Sequence, residues 1–339
     1  MDLQTAIRTV VDRKDLGFEA MREVMTTIMT GDATPAQIAG LLIGLRMKGE
    51  TIDEIAAAAT VMRSFAAKVE VNLAPLIDTC GTGGDGIGTF NISTASAFVA
   101  AAAGGHIAKH GNRAASSKSG SADLLEAAGA RIDLTPSAVA ACIAEVGVGF
   151  MFAPAHHAAT RHAAGPRREL GTRTLFNVLG PLTNPASADR QLMGVFEPAW
   201  VPRAAQVLRR LGVARAMVVC AADGMDEISI GAETFVAELN GEDIQEYQLN
   251  PERFGFELQD IGALSADDPK QSLSIVESVY AGDAGPARDI VCLNAGAAIY
   301  VGGLSESLEA GVDKARAVID EGKAAARFKH FVSFTQTVS

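Results

Sequence analysis

The sequence predicts an α/β protein: a small N-terminal helical domain, then a large α/β domain with a mainly parallel central sheet and an antiparallel addition. Three observations carry this reading. Residues 1–70 show helical spacing and cap signals without a strand signal. From Leu76 onward, short apolar runs alternate with helix-type segments, the pattern of a largely parallel sheet. Later, two β-type runs flank Asn240-Gly241, a hairpin signal.

The elements follow in order. Ile7, Val10 and Val11 give one apolar stripe, and Phe18, Met21, Met25 and Met29 a second that ends at Gly31-Asp32. Thr34 is an N-cap with Pro35 behind it, opening a helix to about Lys48 that Gly49 closes. Thr51 with Glu54 makes a capping box for a helix over about 52–67. The methionines read as core. Leu76-Ile77 begins a buried strand ending at Asp78-Thr79-Cys80, and an Ala-rich helix spans about 94–103. Further strands are expected at 106–109, 148–152, 190–196 and 215–220, with Thr135-Pro136 capping a helix between two of them. The hairpin strands are 234–239 and 244–249, and Leu304 to about Phe331 reads as helices. Residues 156–185 break the alternation with a cluster of Arg and His stiffened by Pro166, Pro181 and Pro185.

Composition narrows the function. The chain has 339 residues, 48% of them hydrophobic, and a formal charge of -11. An acidic balance argues against general nucleic-acid binding, which needs a broad basic face. The four cysteines, Cys80, Cys142, Cys220 and Cys292, stand far apart in apolar runs and read as buried thiols. No apolar run approaches the roughly 18 residues of a membrane helix, and the N-terminus has no signal-peptide pattern. The expectation is a cytoplasmic protein with no membrane or nucleic-acid partner.

The chemistry concentrates in residues 76–121. Gly81, Gly83, Gly84, Gly86 and Gly88 fall within eight positions between a strand and a helix start. Such a loop closes its N–H groups on an anion, and the helix dipole adds to the attraction. No Asp or Glu occurs from Gly86 to Ala122, while Lys109, Arg113, Lys118, His106 and His110 do. A nicotinamide dinucleotide is excluded: Gly81 to Gly86 matches the glycine fingerprint, but the acidic residue about 20 positions on is missing. The P-loop pattern fails too, because no Gly-Lys-Ser/Thr follows. Asp85 within the loop would repel a pyrophosphate unless a metal sat between them. Asp223-Gly224-Met225-Asp226-Glu227 offers three carboxylates in five positions, either a solvated loop or hard ligands for Mg²⁺. The six histidines lack a zinc-type pattern.

Gly81-Thr82-Gly83-Gly84-Asp85, Asn91-Ile92-Ser93-Thr94, Lys109-His110-Gly111-Asn112-Arg113-Ala114, Arg173-Thr174-Leu175-Phe176-Asn177 and Gly180-Pro181-Leu182-Thr183-Asn184-Pro185 occur in this order. Together they resemble the anthranilate phosphoribosyltransferase family of tryptophan biosynthesis, over nearly the whole chain. The resemblance implies transfer of a phosphoribosyl group from phosphoribosyl pyrophosphate to the anthranilate amine, with Mg²⁺ as cofactor and a homodimer formed through the helical domain. It implies a helical domain over 1–70, with part of about 165–186 packing back on it, and an α/β domain over 71–339. For phosphoribosyl pyrophosphate it points to Gly81, Gly84, Asp85, Thr89, Asn91, Ile92, Ser93, Thr94 and Lys109, then His110, Gly111, Asn112, Arg113, Ala114, Ala115, Ser116, Ser117 and Ser121. For anthranilate it points to Gly81, Asn112 and Arg167, with the neighbouring Arg168 leaving the carboxylate ligand open by one position. The metal would fall to Ser93, Asp226 and Glu227. His110 is a candidate to assist amine deprotonation or to shape the pocket. Two other readings compete: a pyrimidine-nucleoside phosphorylase on a related fold, and an inactive relative that binds nucleic acid.

Overall fold

A computed structural model describes residues 1–114 and 118–338. The N-terminal region is four helices: α1 (Leu3–Val11), α2 (Phe18–Thr30), α3 (Pro35–Lys48) and α4 (Ile52–Phe65). Their ends are set locally. Asp2 accepts from the Thr5 N–H, and Thr34–Gln37 and Thr51–Glu54 form reciprocal capping boxes. Gly31 closes α2 in the left-handed region, which a side chain would resist. Met21, Met25 and Met29 are buried, as their spacing predicts. Val11 departs from the expected stripe. It is 65% exposed, because α1 turns its Leu3–Ala6–Val10 face inward and its last residue outward.

Seven strands among the described residues form one sheet. They are β1 (Leu76–Gly81), β2 (His106–Gly111), β3 (Val148–Phe152), β4 (Arg190–Gly194), β5 (Arg215–Ala221), β6 (Thr234–Asn240) and β7 (Asp243–Leu249). The order is β3-β2-β1-β4-β5-β6-β7. The pairs from β3 through β5 are parallel, and β5–β6–β7 add antiparallel at one edge. β2 runs two residues past its predicted end, and β4 stops at Gly194, two residues short of its prediction. The chain leaves β1 toward β2 on one side, while β4 lies on the other. The crevice beyond the carboxyl end of β1 is therefore a topological switch point, where open α/β sheets bind ligands.

The remaining helices are α5 (Ile92–Ala102), α6 (Ser121–Ala127), α7 (Pro136–Val146), α8 (Ala153–His156), α9 (Arg161–Leu170), α10 (Phe176–Leu179) and α11 (Trp200–Arg210). The last four are α12 (Pro269–Ala281), α13 (Pro286–Val301), α14 (Leu308–Asp320) and α15 (Lys323–Thr337). One core lies between the sheet and α5, α7 and α12–α15. The other joins the opposite sheet face, including Met193, Val218 and Ala237, to α11 and the N-terminal helices. Residues 156–185 contain α9 and α10, joined by turns and irregular chain. Pro166 sits inside α9, which packs on α2 and α3, while α10 packs on α4.

Candidate active site

The glycine loop leaves β1 at the switch point. Gly83, Gly84, Gly86 and Gly88 all have φ between +63° and +79°, a region where a Cβ is strained. Gly88 to Phe90 is held from outside: Phe90 N–H donates to Leu264, and Ala266 N–H donates to Gly88, with Thr89 bridged to Ser265. α5 then starts at Ile92, so its first N–H groups face the loop end.

The carboxylates come from the loop after β5. Gly83 N–H donates to Asp226 Oδ2 at 2.8 Å. Gly81 and Gly194 are register partners at the ends of β1 and β4. A Cβ on Gly81 would overlap the Asp226 carboxylate, and one on Gly194 would overlap its carbonyl. Two adjacent glycines thus make the floor on which Asp226 lies. Glu227, beside it, accepts the Ser93 backbone N–H. Both carboxyls are half-buried, and both are pushed above the usual carboxylate range. Burial is the main cause for each, followed by the charge of Asp85 on Asp226 and of Asp226 on Glu227. Asn294 fixes the far end of this loop. Its amide, fully buried, pairs with both the N–H and the carbonyl of Ile228 at 2.9 Å.

Lys109 lies underneath. It is 2% exposed, donates to the Thr79 carbonyl, and reaches Ser93 Oγ at 3.3 Å. Burial lowers its pKa, and the charge of Asp78 opposes that shift. Its ammonium is therefore tied to the Thr79 carbonyl and to Ser93 Oγ. Asp78 is itself buried and accepts from Asn184 Nδ2 at 2.7 Å and from His110 N–H at 3.2 Å.

The basic loop divides. Asp123 caps it, accepting from Ala114 N–H and Gly120 N–H at 2.9 Å. Arg113 is turned onto Asp123 and Glu126, and Lys118 onto Asp267. Gly111 cannot carry a Cβ, which would meet Ser121 Oγ and the Phe150 ring. Ser121 Oγ donates to the Asn112 carbonyl at 3.2 Å. Asn91 does not cap α5 with its side chain; its amide is used on Ser119 and Ser272 instead. Ile92 is 1% exposed, so only its backbone can serve a ligand. Thr94 Oγ1 is buried without a partner among the described residues. Ala115, Ser116 and Ser117 lie outside the described residues.

The Arg167 side connects to this region at two points. Arg167 is half-buried over the Phe176 ring at 4.9 Å, and among the described residues it has no carboxylate partner. Burial lowers its pKa. Arg168 is exposed. From α10 the chain reaches Gly180, whose carbonyl is 3.1 Å from His110 Nδ1. The His110 and His157 rings lie 5.0 Å apart, tilted by 56°, and each leaves Nε2 buried without a partner among the described residues. Burial, then the neighbouring His157, lowers His110 to about 3; burial, then His156, lowers His157 to about 4. Both rings are neutral at pH 7. Arg173 donates to the Gly84 carbonyl, closing the second link.

Comparison with known proteins decides what this arrangement belongs to. Residues 4–66 match the glycosyl transferase family helical bundle domain, and residues 73–325 match the glycosyl transferase family a/b domain. Anthranilate phosphoribosyltransferase of Thioalkalivibrio sulfidiphilus is 58% identical over 335 residues, 99% of each chain. That of a Marinomonas species is 56% identical over 338 residues, 99% of this chain and 98% of the other. The chain belongs to the anthranilate phosphoribosyltransferase family. The structure of the Thermus thermophilus member superposes with a TM-score of 0.93 at 44% identity, covering 98% of this chain and 99% of that one. The Saccharomyces cerevisiae member, solved with PRPP (phosphoribosyl pyrophosphate) and Mg, gives 0.90 at 26% identity, covering 99% and 98%.

Against the family motifs, several supporting residues were not assigned from sequence. Asn184 and Arg173 stood within motifs but without a role. Ser272, Asn294 and His157 gave no local signal of one, since each acts through a contact at least 47 positions away or across elements.

Proposed function

We propose that this chain transfers the phosphoribosyl group of phosphoribosyl pyrophosphate to the amine of anthranilate, in tryptophan biosynthesis. The C1–oxygen bond to pyrophosphate breaks, the C1–nitrogen bond forms, and the amine's proton passes to the departing pyrophosphate or to water. The observation that carries this reading is the double attachment of the Arg167 segment to the phosphoribosyl side, through Gly180–His110 and Arg173–Gly84. It supports two substrates meeting at one crevice.

The glycine loop from Gly81 to Asp85 and the N-terminus of α5 receive the pyrophosphate, where N–H groups and helix dipole favour negative charge. The loop from Lys109 to Ser121 holds the ribose phosphate, with Arg113 released from Glu126 to do so. Arg167 pairs with the anthranilate carboxylate, and Gly81 and Asn112 complete that pocket. His110, neutral and weakly basic, shapes the pocket and takes no proton.

Mg²⁺ fits the donor set. Asp226 and Glu227 are crowded, half-buried hard oxygens beside Ser93, with both pKa values raised by burial and then by a neighbouring carboxylate, so a bound cation would favour their ionised forms. Among the described residues no three His, Cys, Asp or Glu side chains form a closed cage. Mg²⁺ is commonly held this way, through one or two carboxylates plus substrate phosphate. When bound, the ion would neutralise the departing pyrophosphate.

The domain division at 70/71, with about 165–186 returning to the helical part, is supported by α9 packing on α2 and α3. Exposed Val11 and Met47 support a homodimer through the helical face. Among the described residues no helix is long and apolar enough to cross a membrane, which agrees with a cytoplasmic site of action.

The test is decay of anthranilate fluorescence with phosphoribosyl pyrophosphate, with and without Mg²⁺. Decay that requires both additions is the expected result. No decay, with phosphate-dependent cleavage of thymidine or uridine, would transfer the reading to a nucleoside phosphorylase.

A further inference from the structure

Arg173 lies between the two halves of the proposed site and was assigned to neither. Three elements meet on it. Its Nη2 donates to the Gly84 carbonyl at 2.5 Å. Its guanidinium carbon sits 4.0 Å from the centre of the Phe196 ring, just beyond β4. Its own carbonyl accepts from Arg46 Nη1 on α3 at 2.6 Å. Among the described residues it has no carboxylate partner within ion-pair distance. The residue is exposed.

The contact with Gly84 has a directional consequence. A trans peptide is planar, and its C=O and N–H point in opposite directions. Drawing the Gly84 carbonyl toward Arg173 therefore turns the Asp85 N–H the other way. In a loop where Gly83, Gly84 and Gly86 all have positive φ, peptide flips are cheap. A flip here would replace an N–H by a carbonyl in a site built for an anion. The donor on Gly84 opposes that flip, and the Phe196 stack and Arg46 bond hold the donor.

We propose that Arg173 is a positioning residue for pyrophosphate: it sets the Gly84–Asp85 peptide and ties that setting to the helical layer carrying Arg167. This deepens the transferase reading and rests on it. Arg173 touches no reacting atom; it acts through the loop.

The test is steady-state kinetics of Arg173→Ala, Arg173→Lys and Phe196→Ala beside the wild type, with thermal unfolding of each. The expected result for Arg173→Ala is a KM for phosphoribosyl pyrophosphate raised about tenfold, the loss of one charge-assisted hydrogen bond. The KM for anthranilate should stay within about twofold, and the unfolding midpoint within about 2 °C. Arg173→Lys should fall between, since an ammonium can donate to the carbonyl but stacks poorly. Phe196→Ala should shift the same constant in the same direction by less. Unchanged constants in Arg173→Ala, or both KM values rising together, would overturn the proposal while leaving the transferase reading intact. If Arg173→Ala does not fold, Arg173→Lys decides: a KM for phosphoribosyl pyrophosphate equal to the wild type would overturn it. A wild type without turnover would remove the transferase reading and this inference together.

Discussion

Gly83 N–H and Asp226 Oδ2 are hydrogen-bonded at 2.8 Å, which fastens the glycine loop to the acidic loop from 143 positions away in the sequence. The loop proposed to receive pyrophosphate and the carboxylates proposed to hold its counterion are thus one unit. The unit stands on Gly81 and Gly194, whose missing side chains make room for Asp226.

Gly194→Ala should therefore injure the site more than the strand. The new methyl collides with the Asp226 carbonyl, so the acidic loop must lift. The expected cost is about 1–3 kcal/mol of stability, with kcat/KM down at least about tenfold and a higher Mg²⁺ requirement. Gly17→Ala is the control, because nothing lies within 4 Å of its added Cβ. Equal activity in the two variants would show that Asp226 does not depend on this floor.

Asn294 holds the same loop from behind, and Asn294→Leu should release it. The substitution leaves the buried N–H and carbonyl of Ile228 without their partner. A cost of about 2–4 kcal/mol is expected for the two groups together, read as a lower urea midpoint. Half-maximal activity should also need more Mg²⁺. A lower midpoint with an unchanged Mg²⁺ requirement would make Asn294 a packing residue only.

How much of this was readable beforehand follows the range of each interaction. The parallel strands are legible as short apolar runs between turn signals, whereas the mostly polar β7 is legible only through the Asn240-Gly241 hairpin signal. The helices capped by Thr34, Thr51 and Thr135 were found from their caps. α12 and α13 were passed over. α13 buries every residue from Ile290 to Ile299, so it has no polar face to reveal a helical period. In the site, the glycine loop and the Asp226-Glu227 pair were visible as local composition. The burial of Lys109, the Asn184–Asp78 bond and the Arg173–Gly84 bond were not, because each joins segments between 30 and 106 positions apart.

Arg167 and Arg168 are separated by environment in a way their adjacency in sequence concealed. Arg167 is half-buried over Phe176, and Arg168 is exposed. If Arg167 pairs with the anthranilate carboxylate, Arg167→Ala should raise the KM for anthranilate by roughly 10- to 100-fold, a loss of about 1.5–3 kcal/mol. Arg168→Ala should stay within about twofold. The reverse pattern would move the carboxylate to Arg168.

The His110–His157 pair makes stability pH-dependent, and the sign can be worked out. Both rings are buried and held neutral, with His110 lowered to about 3 and His157 to about 4. In the unfolded chain each would protonate near 6.5. Between about pH 4 and 6.5 the unfolded state binds more protons than the native state, so stability rises with pH. This contribution is fully present above 6.5 and is lost as pH falls toward the folded values. Each histidine is worth up to about 1.4 kcal/mol per pH unit in that window. Urea unfolding at pH 7, 6 and 5 should show the wild type losing stability faster than His157→Asn between pH 6 and 5. The two should run parallel above pH 7, and the titrating carboxylates, common to both proteins, largely cancel in the difference. Parallel curves throughout would mean that the His157 ring titrates in the fold as it does in the unfolded chain. The same neutrality bears on catalysis, because a ring lowered to about 3 accepts a proton poorly at pH 7. His110→Asn, which keeps a polar group near the Gly180 carbonyl, should therefore alter the KM for anthranilate more than the shape of the pH–rate profile between 6 and 8.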